Sequence, residues 1–373
     1  MFEVPFIRPI LPPGHIIAGD VAEIVASNWF TNFGPHEKKF RVAIADRVRP
    51  GAEVVTFSNA TLALIGVLKV FFEDARRDGL VIVPSFTFAA GPEAIRWAGL
   101  EPVFIDIEPV TVQPSLAGAA SAFDRYGDRI VGILLCNTFG IGTTAIAEWE
   151  SLAQEHQVPL IIDSAAGFGS VYPDGSPVGA RGDCEVFSFH ATKPFAIGEG
   201  GAAVLDDHEC ADRLRRFTNF GFGSDGAEHL GLNAKLQEFN AVIGMRQMVG
   251  FEEALQDRRA SLERFRGLVE QSGLATSIPD AELSSVCFSS FVFADPKMRD
   301  LALQGLRSRG IEARVYYSPP VHLQPVFSES ERVGTLAETE STHRRILALP
   351  SFVGMPDFAF HAFAAVLREL KDL

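Results

Sequence analysis

Residues 80–107, LVIVPSFTFAAGPEAIRWAGLEPVFIDI, carry the fold in miniature. LVIVP (80–84) and PVFIDI (102–107) are short, apolar and rich in β-branched or aromatic residues, which predicts two strands. Between them PEAIRWAG (92–99) has helical composition and stops at Gly99, as helices tend to. A strand, a helix and a second strand in that order set the strands parallel, with the helix laid across one face.

The same alternation extends in both directions. EVVTF (53–57), IVGILL (130–135), VPLIID (158–163) and EVFSF (185–189) read as further strands, and 60–79 and 143–157 as further helices. This predicts an α/β fold with a mainly parallel sheet covered on both faces. Near residue 250 the composition turns to charged helix, EEALQDRRASLERFRGLVEQSG. SSVCFSSFVFAD and LALQGLRSRGIEARVYY follow in a helix-strand-helix-strand order. A large domain over 1–249 and a smaller α/β domain over 250–373 are expected.

The 373 residues are 47% hydrophobic, ample for a substantial core, yet no apolar run is long enough to span a bilayer. The N-terminus has an early Glu3, several prolines and no basic segment, so it does not read as a signal peptide, and a cytoplasmic chain is expected. Four scattered cysteines without CxxC spacing suit reduced, packed thiols and no metal site. A net charge of −14 argues against a nucleic-acid surface, because phosphate backbones need a concentrated basic face.

Open parallel sheets place ligands at the ends of their strands, and four features meet there. LIIDSAAG ends a strand with Asp163; SFHATK ends another with Ser188 and then Lys193; SNATLAL opens a helix; PSFTF follows a strand. Pyridoxal phosphate needs an amine for its aldehyde, a carboxylate at its ring nitrogen, donors for its phosphate and an apolar face. Lys193, Asp163, Ser188 with Ala60 and Thr61, and Phe88 could supply them. Pro194 biases Lys193 toward an extended backbone, which suits a strand-end loop. Glu199, between glycines, reads as loop geometry, and His190 as a packed or supporting histidine.

With SNWFTNFGPHEKKF, GLEPVFIDIEP, LIIDSAAGFGS, FSFHATKPFAIGEGG, GLNAKLQEFNAVIG, PPVHLQPVF and LALPSF in order, the chain resembles the DegT/DnrJ/EryC1/StrS family along nearly its whole length. That family consists of pyridoxal-phosphate-dependent aminotransferases acting on nucleotide-linked keto sugars. The resemblance implies PLP fold type I, like aspartate aminotransferase. By position it makes Lys193 the residue that holds the cofactor, Asp163 the partner of the ring nitrogen, and Ser188, Ala60 and Thr61 the phosphate cup. It further implies that Phe88 stacks on the ring, that Asn233 reaches the phosphate of a neighbouring subunit in a homodimer, and that Tyr317 and His322 line the substrate site. L-glutamate is the implied donor and a 3-keto or 4-keto deoxysugar on a nucleoside diphosphate the implied acceptor.

Four positions depart from that pattern. Ala60 stands for a glycine, Phe168 for a histidine and Lys235 for an arginine, while Ala166 stands for a glutamine that contacts the cofactor's phenolic oxygen, a contact then either lost or made by another group such as Asn137. A cyclitol or other non-nucleotide ketone stays open as acceptor, and so does a cofactor-binding regulatory protein without turnover. A dehydratase is disfavoured, since such relatives replace the lysine with histidine.

Overall fold

The computed structural model describes every residue except Met1, Asp74 and Arg77. Two N-terminal helices, α1 (Gly14–Ser27) and α2 (Pro35–Val48), lead into an alternation of strands and helices. Its members are β1 (Glu53–Phe57), α3 (Ala60–Phe71), β2 (Leu80–Pro84), α4 (Ala90–Trp97), β3 (Glu101–Ile105), α5 (Leu116–Tyr126) and β4 (Ile130–Cys136). Next come α6 (Ile146–Glu155), β5 (Leu160–Asp163), β6 (Cys184–Ser188), β7 (Gly201–Leu205) and α7 (His208–Thr218). A small hairpin, β8 (Phe222–Gly223) with β9 (Gly226–Ala227), precedes α8 (Glu238–Val249) and the long α9 (Phe251–Ser272). The remainder is β10 (Ala275–Ser277), β11 (Ser289–Phe293), α10 (Pro296–Ser308), β12 (Glu331–Arg332), α11 (Ala337–Arg345), β13 (Ile346–Leu349) and α12 (Asp357–Lys371).

The large sheet runs β1-β7-β6-β5-β4-β2-β3-β12. From β6 to β12 neighbours are parallel, whereas β7 pairs antiparallel with both β6 and β1. Alternate side chains of each strand feed two cores. Ile82, Ile133, Ile162 and Phe187 pack with α2, α5 and α6 on one face, while Val83, Leu134, Ile161 and Val186 pack with α3, α4 and α7 on the other. Burial on both faces is why these strands read as continuous apolar runs. A third core joins α9, α10 and α12 to the sheet β10-β11-β13. The chain passes into this layer at Gly250, between α8 and α9, and β12 later returns to the edge of the large sheet beside β3.

The six strands expected between 53 and 189 are present, two with unchanged ends and the others with ends moved by one or two residues. The expected helix 60–79 stops at Phe71, and Asp74 and Arg77 of that stretch lie outside the described residues. Strand β7, absent from the sequence reading, makes the sheet mixed. The expected strand in IEARVYY is reduced to single bridges at Ile311 and Arg314. Among the described residues no helix is long and apolar enough to cross a membrane.

Candidate active site

Three adjacent parallel strands end on one cavity of about 710 Å³: β4 at Cys136, β5 at Asp163 and β6 at Ser188. The strand order reverses beside them. After β2 the chain adds β3 on one side and returns to add β4 on the other, which opens the crevice at which such sheets bind ligands.

The first turn of α3 forms one end of the cavity through Ala60 and Thr61. Asn59 caps the helix: its Oδ1 accepts the Leu62 N–H at 2.9 Å and its carbonyl the Ala63 N–H at 3.2 Å. The N–H groups of Ala60 and Thr61 find no acceptor among the described residues, so two donors at the positive end of a helix face the cavity, which suits a phosphate. Ser188 lies beside them; its Oγ accepts the His190 N–H at 3.3 Å and keeps its own proton to donate. Gly201 pairs with both Ser188 and Phe57, and a Cβ there would sit 2.7 Å from the Ala60 nitrogen. In the structure the close approach at Gly201 is that of β7 to the start of α3.

Asp163 is 7% exposed. Its Oδ1 accepts the Ala165 N–H at 3.0 Å, and its Oδ2 accepts no hydrogen bond from the described residues. Burial pushes the carboxyl up from its ordinary range, with the Ala165 N–H and the Lys193 charge pulling it back. A buried carboxylate with an unpaired oxygen is what a protonated ring nitrogen requires of its partner, so pyridoxal phosphate fits here. Lys193 closes a turn through its N–H to the His190 carbonyl at 2.9 Å. Two residues on, the buried Phe195 packs against Phe40, Phe168, Phe189 and Phe251, which anchors the backbone from which the lysine projects. Phe168, unusual in the sequence, belongs to this aromatic core.

Phe88 stands at the cavity mouth, 63% exposed, and Tyr317 lines the inner wall. The two remaining residues lie elsewhere. His322 is not in the lining: it is buried, with Nδ1 2.5 Å from Ser85 Oγ and Nε2 3.5 Å from Glu340, so a substrate contact within this chain does not follow from its position. Asn233 is on the surface, where its Oδ1 accepts from Lys235 Nζ at 2.9 Å. Asn137 borders the cavity, yet both hydrogens of its amide are committed, to Ser164 Oγ and Tyr172 OH at 2.9 Å each, and its carbonyl accepts the Thr143 N–H. No donor remains on it for a phenolic oxygen, contrary to the suggestion from sequence.

The lining also contains residues to which the sequence gave other parts. His190 and Glu199 face each other on it at 3.6 Å, and Phe6, Phe139, Cys287, Phe288 and Tyr316 complete it from segments far apart in sequence.

A mostly parallel sheet with a lysine, a buried carboxylate and a helix N-terminus at its strand ends defines a pyridoxal-phosphate-dependent aminotransferase of fold type I. The family model for the DegT/DnrJ/EryC1/StrS aminotransferase family matches residues 14–367, and the chain belongs to that family. Protein Rv3402c of Mycobacterium tuberculosis is 43% identical, over 98% of this chain and 89% of its own length. The dTDP-4-dehydro-2,3,6-trideoxy-D-glucose 4-aminotransferase of Saccharopolyspora spinosa is 31% identical over 94% and 92%. The crystal structure of DesI, solved in the presence of its TDP-sugar product, superposes with a TM-score of 0.87 at 30% identity, covering 97% of this chain and 91% of DesI.

Proposed function

We propose that this enzyme moves an amino group from L-glutamate to the ketone of a deoxysugar carried on a nucleoside diphosphate. The observation that carries the reading is Lys193 sharing one cavity with the under-paired Asp163 carboxylate; the sugar nucleotides named for the Saccharopolyspora relative and for DesI support the acceptor. Bound there, pyridoxal phosphate supplies an aldehyde that takes up an amino group and a ring that accepts the electrons released at Cα. Lys193 Nζ would bond the aldehyde carbon, and as a free amine it would carry the proton from the donor's Cα to that carbon, and in the second half-reaction from that carbon to the former ketone carbon. Asp163 holds a proton on the ring nitrogen by its charge, and Ser188, Thr61 and the N–H groups of Ala60 and Thr61 hold the phosphate.

The homodimer belongs to the same reading. Asn233 is outside its own chain's cavity, next to a surface with exposed Phe220, Phe222, Leu230 and Leu232, as a residue serving a neighbouring subunit would be.

Borohydride reduction of the cofactor-loaded protein, followed by peptide mass mapping, is expected to fix the cofactor on Lys193, and Lys193→Ala to abolish that adduct. Incubation with glutamate and a panel of dTDP-linked 4-keto and 3-keto deoxyhexoses and keto-cyclitols, read by mass spectrometry, should show amine replacing carbonyl oxygen on a sugar nucleotide. Amination of the cyclitols alone would overturn the acceptor.

A further inference from the structure

The cavity wall remote from the phosphate end is a panel of five aromatic rings, Phe6, Phe139, Phe288, Tyr316 and Tyr317. Their centroids are 5.1 to 5.8 Å apart in successive pairs: Phe139 to Phe288 at 5.1, Phe288 to Tyr316 at 5.2, Phe139 to Tyr317 at 5.5, Phe6 to Phe288 at 5.6 and Tyr316 to Tyr317 at 5.8 Å. Tilted, edge-on and, for Phe139 with Tyr317, stacked contacts at these separations stabilise one another, so the panel is a formed surface. Its inner end is Tyr317, with a hydroxyl that burial pushes well up from its ordinary value and so keeps protonated, the neighbouring Asp163 charge acting in the same direction.

Phe6 is the part that the fold goes furthest to fix. The N-terminal strap runs parallel to 310–312: the Val4 N–H reaches the Gly310 carbonyl at 3.0 Å, and the Glu312 N–H reaches the Val4 carbonyl at 2.9 Å. Glu312 Oε2 then accepts the Phe6 N–H at 2.9 Å. Its Oε1 takes Nε and Nη2 of Arg314, at 3.0 and 2.6 Å. That guanidinium lies over the Phe6 ring, 4.7 Å from its centroid, and gives Nη1 to Tyr316 OH at 3.0 Å. One ion pair thus sets the backbone of Phe6, the ring of Phe6 and the ring of Tyr316. Pairing with Arg314 and the Phe6 N–H hold the Glu312 carboxyl below its usual range against its partial burial, so the clamp stays charged.

We infer that Phe6, clamped by Glu312 and Arg314, is a specificity-determining residue, and that the ring bearing the acceptor ketone lies along the aromatic panel with a face carrying few hydroxyls. This deepens the keto-sugar reading and rests on it. A hydroxyl turned onto the rings of Phe6, Phe139 and Phe288 finds no partner and is costly to bury, whereas C–H groups gain from the contact. A compact amino donor fills only the inner end of the panel, so the demand for Phe6 comes from the acceptor.

The test compares Phe6→Ala, Phe6→Leu and Arg314→Met with the wild type, each checked for native circular dichroism and full cofactor loading. Glutamate kcat/KM and acceptor kcat/KM are measured separately as half-reactions, with a dTDP-linked 4-keto-6-deoxyhexose and a keto-cyclitol as acceptors. In Phe6→Ala the acceptor value should fall roughly tenfold or more beyond any fall in the glutamate value, with Phe6→Leu and Arg314→Met intermediate and the loss mainly in KM. Equal losses in the two half-reactions, or no loss, overturn the role of Phe6. A wild type that aminates only the cyclitol overturns the keto-sugar reading, and Phe6 is then judged on the cyclitol by the same criterion; a wild type that aminates neither overturns both.

Discussion

At one end of the cavity Asp163 and Ser188 are the last residues of their strands and Ala60 and Thr61 open a helix, with Lys193 on the loop five residues beyond β6. At the other, five rings come from the N-terminal strap, the 138–140 turn, the loop at 288 and the segment 316–317. The first end inherits its geometry from sheet hydrogen bonds and a helix cap. The second is assembled by tertiary packing around one ion pair. Reaction chemistry needs positions that do not drift, and regular elements give them; substrate choice is placed on loops, which tolerate change without unmaking the sheet.

The sharpest way to break this contrast is at Asp163. Asp163→Asn keeps size and the Ala165 contact but removes the charge facing the ring nitrogen, and kcat should fall about 10²- to 10³-fold for every acceptor alike. The absorbance of the bound cofactor should shift with it. A loss confined to one acceptor would mean that the strand ends, too, choose substrates.

Gly201→Ala tests whether β7 sets the phosphate end. Its Cβ would meet the backbone at Ala60 N and Asn59 C, at 2.7 and 2.8 Å, where nothing flexible can yield. A stability loss of about 1–3 kcal/mol by thermal unfolding, with weaker cofactor retention, is expected. Unchanged retention would show that α3 holds the phosphate without support from β7.

These sites differ also in how far the sequence discloses them. Asp163, Ser188 and Lys193 were legible because strand ends carry short motifs, and the fold class because buried parallel strands read as apolar runs. Strand β7 was hidden: GAAVL begins on the last glycine of GEGG, so small residues next to glycines read as a turn, although their smallness is what lets β7 lie against α3. The aromatic panel was illegible for another reason. The chain has 31 phenylalanines, and nothing local separates Phe6 or Phe288 from those in the core; only contacts across some 280 residues do so. His322 shows the reverse case, a motif residue that packs against Ser85 and is not part of this chain's cavity lining.

The smallest expected effect joins the two regions. Glu185 is fully buried behind Asp163; its Oε2 accepts from Ser164 Oγ at 2.6 Å, and its Oε1 from Tyr172 OH at 3.1 Å and the Arg181 N–H at 3.0 Å. With both hydroxyl protons spent on Glu185, Ser164 and Tyr172 can only accept from Asn137, which fixes that amide and so the turn carrying Phe139. The neighbouring charge is Arg181, tied to Glu150 and Asp174. Burial outweighs these donors and raises the Glu185 carboxyl to about 7 from its ordinary 4.5. The folded chain then holds this proton more tightly than the unfolded chain, so the stability it contributes is complete below about 4.5 and is lost as pH rises through about 7. In Glu185→Gln, which cannot titrate, the melting temperature relative to wild type should therefore drift upward across that window by a few degrees. Acceptor kcat/KM should lose the part of its pH dependence centred near 7, because in the wild type protonation puts a donor where Ser164 or Tyr172 needs an acceptor. A variant that tracks the wild type in both profiles would show that the strand ends and the aromatic wall are independent of each other.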